Sequence, residues 1–303
     1  MDDILIKDAL IVTCDPAHAI IKNGLMTVSD GKITALESSD TVSVNSFRAK
    51  KTISANGNIV MPGLINMHCH AGDSLFRGLV ENLPLEEWLG RVWIAEKAIL
   101  TPETTYLGSI LGLAENLLSG ATTVMDMFWY PEETANAAKK LGMRISTGGI
   151  FFDLPGIGGR CHEDYIAEAH QFSQNHEADE NVIPAILPHG SYTVSPENLT
   201  DAKRIADEYG ILFCTHAAET KAEQNDIRTR YNNSVIRHLN EHKLLGENVV
   251  LAHCVHLDEK EISLIAKSKT NVVLNPMSNL KLGSGIAPVK EMKRAGINLT
   301  IGT

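Results

Sequence analysis

The chain of 303 residues lacks the features that mark nucleic-acid-binding and membrane proteins. It contains no block rich in lysine and arginine, and its formal net charge at pH 7 is −10. This charge argues against nucleic acid or an anionic membrane surface as the main partner. No apolar run reaches the length of a membrane span, and Met1-Asp2-Asp3 lacks the basic start of a signal peptide.

Cysteine is scarce, and its pattern excludes a disulfide framework. The five cysteines are an odd number, they are widely scattered, and none belongs to a Cys-x-x-Cys pair. Such usage is typical of a reduced, cytosolic protein. We therefore expect a cytoplasmic localisation.

The first 58 residues differ from the rest of the chain in the kind of segments that they contain. They consist of short β-prone runs, and Asp30-Gly31 between two of these runs is a strong hairpin signal. We expect residues 1–58 to form a small β module that precedes the main domain.

From Ile59 onward, strand-like and helix-like segments alternate. Eight strands with crossover helices predict a (β/α)8 barrel of the TIM type, in the α/β class, over residues 59–303. The candidate strands are 59–66, 121–127, 143–151, 182–188, 211–216, 249–254, 271–275 and 298–302.

The chain ends at Thr303, at the tip of the eighth candidate strand. A barrel normally has a further helix that covers this strand. We therefore expect that the barrel is truncated after strand eight.

Histidines fall at the predicted carboxyl ends of several strands. His68 and His70 follow the first strand, and residues i and i+2 of an extended backbone point the same way. His189, His216 and His253 end the fourth, fifth and sixth strands. Since barrel active sites lie at this face, the histidines predict a site for a first-row divalent metal.

Glu219 lies three residues beyond His216, where a carboxylate can reach water at a metal without binding the metal itself. This spacing suits a proton shuttle between water and substrate. The alternative is an acid in the first turn of a helix, where it is favourable for the helix dipole. His253 is a further ligand, a group that hydrogen-bonds the attacking water, or a satisfied core histidine.

Four motifs together resemble the amidohydrolase superfamily, and most closely its branch of S-adenosylhomocysteine and methylthioadenosine deaminases with related triazine chlorohydrolases. They are residues 62–70, His216-x-x-Glu219, residues 252–257 and residues 275–285. The resemblance covers the whole chain. It implies a barrel with one divalent metal ion, zinc or alternatively iron, and a composite β-sandwich built from both termini.

The resemblance also implies roles for individual residues. His68, His70 and His216 match the metal-binding histidines, Glu219 matches the acid/base, and His253 matches the histidine that orients water. In the family, the last metal ligand is an aspartate that follows Gly-Thr after strand eight. This sequence ends at Gly302-Thr303, directly before that position.

Four residues match positions that contact substrate in the family. Trp88 resembles the tryptophan of the purine pocket, and Glu96 resembles an acid that binds ribose hydroxyls, with the spacing shifted by about one residue. His189 matches a histidine near the ribose. Arg160, after the glycine-rich stretch 155–159, resembles an arginine that binds the carboxylate of S-adenosylhomocysteine. Core packing of Trp88 and a solvated loop charge at Arg160 are the alternatives.

The sequence thus predicts a metal-dependent hydrolytic deaminase that releases ammonia from an adenine-type nucleoside, which is methylthioadenosine, S-adenosylhomocysteine or adenosine. A triazine or chloro-heterocycle hydrolase, or a guanine or pterin deaminase, is the enzymatic alternative. A non-catalytic barrel that binds a heterocycle or a partner is the alternative from a different class. The expected partner is a small heterocyclic substrate, and the resemblance is compatible with a homo-oligomer.

Overall fold

The computed structural model describes residues 1–153, 157 and 159–303. These residues form two compact units, Met1–Gly63 and Leu64–Thr303. The division predicted from the sequence lies slightly earlier, after residue 58. The glycine-rich stretch 155–159 lies largely outside the described residues, since 154–156 and 158 are not among them.

The N-terminal unit is a five-stranded sheet with the order β3-β2-β1-β4, in which β5 also pairs with β1. Asp30 and Gly31 connect β2 to β3, with φ angles of 49° and 73°. Positive φ at both central residues is the geometry of the tight hairpin turn that Asp-Gly favours. The strands are β1 (Asp2–Val12), β2 (Ile20–Ser29), β3 (Lys32–Ser38), β4 (Ala49–Ser54) and β5 (Ile59–Val60).

The second unit is an eight-stranded parallel sheet that runs in sequence order from β6 to β13. The first and last strands meet where Thr303 N–H donates a hydrogen bond to His68 O at 2.8 Å. The sheet is therefore nearly closed into a barrel, as the sequence predicts. The strands are β6 (Leu64–Cys69), β7 (Ala121–Asp126), β8 (Arg144–Phe151), β9 (Val182–Pro188), β10 (Leu212–Ala217), β11 (Val249–His253), β12 (Asn271–Leu274) and β13 (Leu299–Ile301).

Helices connect the parallel strands, and several begin at capping residues that the sequence displays. Thr101 caps α2 and Asp258 caps α8, each in a reciprocal capping box. The helices are α1 (Leu85–Ile99), α2 (Pro102–Leu118), α3 (Pro131–Leu141), α4 (His162–Asn175), α5 (Pro196–Tyr209), α6 (Lys221–Tyr231), α7 (Val235–Glu241), α8 (Glu259–Lys267), α9 (Pro276–Lys281) and α10 (Val289–Arg294). Within the described residues, no helix combines the length and apolarity that a membrane crossing requires.

The segment 59–66, predicted as one strand, is divided in the structure. Ile59 and Val60 pair with β1 in the N-terminal unit, whereas the barrel strand begins at Leu64. Pro62 lies between the two pieces, and proline has no N–H to donate to a strand ladder. The barrel strand β6 also ends later than predicted, at Cys69, so that His68 lies on the strand and His70 follows it directly.

The barrel core is formed by aliphatic and aromatic side chains of the strands and of the inner helix faces. On β9, Ile186 is fully buried, whereas Ile183 on the opposite face of the strand is 44% exposed. The two positions thus offer a matched pair of isoleucines on a single strand.

We expect Ile186→Ala to lower the free energy of unfolding by about 2–5 kcal/mol, because it removes buried methyl groups and leaves a cavity. Ile183→Ala, its control, should change this free energy by less than about 1 kcal/mol. Urea unfolding of both variants measures the difference. Equal losses in the two variants would contradict the arrangement of β9.

Candidate active site

Three histidines converge at the carboxyl ends of β6 and β10. Potential ligand atoms of His68, His70 and His216, one ring nitrogen from each, all lie within 4.8 Å of one another. The rings of His68 and His216 are buried. The alternation of side chains along β6 places His68 and His70 on the same side of the strand, as the sequence predicts.

Two of these imidazoles are oriented by backbone carbonyl groups. His70 Nδ1 lies 2.6 Å from Met127 O, and His216 Nδ1 lies 2.6 Å from His189 O. Because a carbonyl oxygen only accepts hydrogen bonds, each Nδ1 carries the proton and each Nε2 keeps a free lone pair. Such a bond to the second ring nitrogen is the usual support of a metal-binding histidine.

The protonation states also fit a metal site. Burial holds the pKa of His68 and of His216 well below the ordinary value, and that of His70 below it as well. The three imidazoles are therefore neutral at pH 7, the form in which histidine binds a metal. Three neutral nitrogen donors match the preference of zinc.

A carboxyl group and a fourth histidine lie beside this cluster. Glu219 Oε1 lies 3.5 Å from His253 Nδ1 and accepts a hydrogen bond from Ser284 Oγ at 3.3 Å. Burial, with a smaller contribution from Glu223, raises the pKa of Glu219 to about 8. Burial lowers the pKa of His253 to about 4, so its imidazole is neutral.

The backbone that presents Glu219 and His253 adopts an unusual conformation. Ala218, His253 and Cys254 have positive φ angles of 53°, 77° and 48°. Residues with a side chain rarely adopt this region, and they do so mainly where surrounding contacts enforce it. Here the turns after β10 and β11 brace each other, since the N–H groups of Val255 and His256 both donate to Ala218 O at 2.9 Å.

The cluster opens into a cavity of about 300 Å³. A smaller cavity of about 50 Å³ shares part of its wall. The larger cavity is lined by the clustered histidines and by Trp88, His189, Tyr192, Glu219, His253 and Met277. The smaller one is lined by aromatic and acidic side chains, among them Asp73, Trp93, Glu96, Trp129 and Phe152.

Asp73 and Glu96 form a buried acid pair in the smaller cavity. Asp73 Oδ1 is buried without a hydrogen-bond partner among the described residues, and Glu96 Oε2 accepts from Trp129 Nε1 at 2.9 Å. Burial raises the pKa of both carboxyl groups, and the proximity of Glu96 raises that of Asp73 further. An unpartnered acceptor in this position can receive a hydrogen bond from a hydroxyl group.

The structure brings together all the predicted site residues except Arg160. The Arg160 guanidinium donates to Glu168 Oε1 at 2.7 Å and lies 5.0 Å from the centre of the Tyr130 ring. It lines a separate cavity of about 230 Å³. In this conformation Arg160 does not line the histidine cavity, and its binding of a carboxylate stays a prediction.

Several residues that support the site were not singled out in the sequence. Asn279 Oδ1 lies 2.7 Å from His253 Nδ1, and Asn275 Nδ2 lies 3.3 Å from His253 Nε2. These asparagines and Ser284 belong to the segment 275–285, which carries the family resemblance. Their individual roles could not be predicted from residue type or spacing, because these roles depend on how α9 packs against the end of β11.

Residues 59–303 match the model of the amidohydrolase family. The chain belongs to this family. A 5-methylthioadenosine/S-adenosylhomocysteine deaminase from Aquifex aeolicus is 38% identical over 302 residues, which cover 99% of this chain and 68% of the relative. A 5′-deoxyadenosine deaminase from Methanosarcina acetivorans is 38% identical over 311 residues, with 100% and 69% covered.

The fold has close counterparts among solved structures. The crystal structure of an adenosine deaminase from Xanthomonas campestris with bound zinc superposes with a TM-score of 0.95 at 32% identity, and the match covers 100% of this chain and 69% of that chain. The predicted barrel fold and the predicted superfamily are thus confirmed.

The buried Glu219 predicts a pH-dependent stability of the metal-free protein. Its folded-state pKa of about 8 lies above the ordinary value of 4.5, so near neutral pH the folded state holds a proton that the unfolded chain has released. The stability that Glu219 contributes is fully present below the unfolded-state pKa and is lost as the pH rises through the folded-state pKa. Other buried groups titrate in the same range. The buried histidines act in the opposite direction near pH 7, where about a quarter of each unfolded imidazole is protonated, and Glu223, with a pKa of about 7, acts in the same direction. The contribution of Glu219 is therefore read from the difference between wild type and variant.

Between about pH 7 and pH 8 we expect Glu219 to contribute a fall of up to about 1.4 kcal/mol per pH unit to the free energy of unfolding of chelator-treated protein. Glu219→Gln should remove this contribution and make the slope less negative by that amount, whereas Glu177→Gln, at an exposed position, should leave the slope unchanged. Urea unfolding at the two pH values measures the slopes. The same slope in wild-type and Glu219→Gln protein would show that Glu219 is ionised in the fold.

Proposed function

We propose that this chain is a metal-dependent hydrolytic deaminase that removes the amino group of an adenine-type nucleoside as ammonia. The observation that carries the proposal is the convergence of three neutral imidazoles and one protonated carboxyl group on a single cavity. Relatives with this fold and substantial identity are named as deaminases of methylthioadenosine, S-adenosylhomocysteine, 5′-deoxyadenosine and adenosine.

His68, His70 and His216 would hold one divalent metal ion, for which we propose zinc, with iron as the alternative. Their neutral state and the carbonyl bonds at Nδ1 of His70 and His216 support this assignment. When bound, zinc supplies Lewis acidity, which makes water nucleophilic near neutral pH.

Glu219 is the group that moves protons in this scheme. Glu219 lines the cavity, and in the metal-free fold its raised pKa of about 8 leaves its carboxyl group protonated at neutral pH. The charge of a cation held by His68, His70 and His216 would lower this pKa, so that the ionised carboxylate becomes available as a base. General acids and bases work best when their pKa lies near the operating pH. Glu219 takes a proton from the attacking water and delivers it to the ring nitrogen beside the amine-bearing carbon. A carbon–oxygen bond forms at the amine-bearing carbon, and the proton of the new hydroxyl group then passes to the amine. The carbon–nitrogen bond breaks, ammonia leaves, and the hydroxyl oxygen becomes the carbonyl oxygen of the product ring.

His253 positions the attacking water in this proposal. Its imidazole is held from both sides, by Asn279 Oδ1 at Nδ1 and by Asn275 Nδ2 at Nε2, and it is neutral because it is buried. Because Nδ1 donates to Asn279 Oδ1, Nε2 carries the lone pair, and it can accept a hydrogen bond from water in place of the longer, 3.3 Å bond from Asn275 Nδ2.

The two cavities suit the two halves of a nucleoside. Trp88 lines both of them and offers an aromatic face for the purine. Glu96, with Asp73, offers acceptors for the ribose hydroxyls, and His189 lies between the two cavities. Arg160 is the candidate for a carboxylate on the 5′ substituent and would have to leave Glu168 to reach it.

The direct test is ammonia release by the zinc-loaded protein with methylthioadenosine, S-adenosylhomocysteine, adenosine and guanine side by side, and chloride release from a chlorotriazine. We expect ammonia from at least one adenine nucleoside. Glu219→Gln should lower kcat by about 10²–10⁴-fold, which is the usual contribution of general acid–base catalysis, while the zinc content stays the same.

Glu247→Gln, at an exposed ion pair with Lys269, is the control and should keep full activity. Wild-type protein that binds zinc and releases neither ammonia nor chloride would refute the proposal. A fully active, zinc-loaded Glu219→Gln variant would refute the role of Glu219 alone. Release from guanine or the chlorotriazine without release from an adenine nucleoside would move the substrate class to the alternative.

A further inference from the structure

A second buried carboxyl group lies directly behind Glu219 and has no part in the chemistry described above. Glu223 is 5% exposed and lies in the first turn of α6. Its two carboxyl oxygens accept hydrogen bonds from the backbone N–H of Glu219 at 2.7 Å and from that of Ala218 at 3.2 Å. Both donors belong to the turn that joins β10 to α6.

Helix capping alone does not account for this arrangement. In α8 the equivalent third residue, Glu261, accepts from the N–H of the capping residue Asp258, which is the standard capping box. In α6 the capping residue is Thr220. Glu223 accepts instead from the N–H groups of Glu219 and Ala218, which lie one and two residues before Thr220. Its carboxyl group therefore holds the turn that carries Glu219, which lies before the capping residue.

The turn needs such support because of its backbone conformation. Ala218 has a φ of 53°, which a residue with a side chain rarely adopts. Its carbonyl oxygen is held by the N–H groups of Val255 and His256, and its N–H is held by Glu223. Hydrogen bonds thus fix the peptide groups on both sides of Ala218. The orientation of these peptide groups determines the direction in which the Glu219 side chain points.

We propose that Glu223 is a positioning residue, whose bonds to the Ala218 and Glu219 amides aim the Glu219 carboxyl group at the substrate cavity. The inference rests on the proposed function, since it assigns Glu223 to the reaction through Glu219. A residue of this kind affects the chemical step more than substrate binding.

The test compares Glu223→Ala and Glu223→Gln in the zinc-loaded protein, each alone and combined with Glu219→Gln. Glu223→Ala removes both acceptors and should lower kcat by about 10- to 100-fold, the scale expected for a displacement of about 1 Å at a reacting group. The KM should stay within about threefold of wild type, and the zinc content should not change. Glu223→Gln keeps one acceptor oxygen and should give an intermediate kcat.

The double variants separate positioning from a general loss of structure. If Glu223 acts through Glu219, then Glu223→Ala should cause no further loss in the residual turnover of the Glu219→Gln protein. Glu261→Ala is the matched control, because it removes the same type of residue at the same helix position in α8. It should lower stability as a lost cap does and leave kcat unchanged.

Two outcomes would overturn the inference. In the first, Glu223→Ala and Glu223→Gln both have the kcat of the wild type. In the second, Glu223→Ala lowers kcat by the same factor in the wild-type protein and in the Glu219→Gln protein. A crystal structure of Glu223→Ala, which lacks both acceptors, gives a readout that needs no activity, and the inference predicts that Glu219 Oε1 leaves its place beside Ser284. An unmoved Glu219 would refute the inference, whereas an inactive wild type would refute the proposed function and leave this structural readout valid.

Discussion

The side chains at the carboxyl ends of the barrel strands are removed from water, and this burial determines which of them carry a proton. Histidines 68, 189, 216 and 253 are buried with their pKa values lowered, so they stay neutral. Carboxyl groups in the same region have raised pKa values for the same reason. Neutral imidazoles that can bind a metal and a carboxyl group that can donate a proton are therefore two consequences of one environment.

The second requirement is that these groups keep their directions. Carbonyl oxygens hold the Nδ1 atoms of His70 and His216, and asparagine side chains hold both nitrogens of His253. The turns that follow β10 and β11 contain residues in left-handed conformations that interlock through backbone hydrogen bonds. Strain at such positions is retained in folded proteins mainly where a site requires it.

Much of the fold and of the metal cluster could be predicted from the sequence, because both depend on regular periodicities. A strand alternates with period two, so His68 and His70 had to share a face, and a parallel barrel brings the ends of its strands to one rim. His216 and Glu219 followed from the same reasoning. The continuous apolar run from Ile59 to Ile65 predicts a single strand, and this prediction is wrong because Pro62 cannot donate to a strand ladder and separates β5 from β6.

The remaining features depend on contacts between distant segments. The acid pair Asp73 and Glu96 comes from two different elements, and neither residue shows its partner in the sequence. Arg160 matches a family position, yet its side chain binds Glu168 of α4 and points away from the cluster. Glu223 has the sequence features of an ordinary first-turn acid, and only the structure shows that it reaches the turn that carries Glu219.

The central claim is that three imidazoles hold one metal ion at the substrate cavity, and anomalous diffraction at the zinc edge tests it most directly. Crystals of zinc-loaded protein should show one strong peak, with ring nitrogens of His68, His70 and His216 at about 2.0–2.1 Å from it. A peak at another position would contradict the account. So would the absence of a peak at these histidines in protein that has been saturated with zinc.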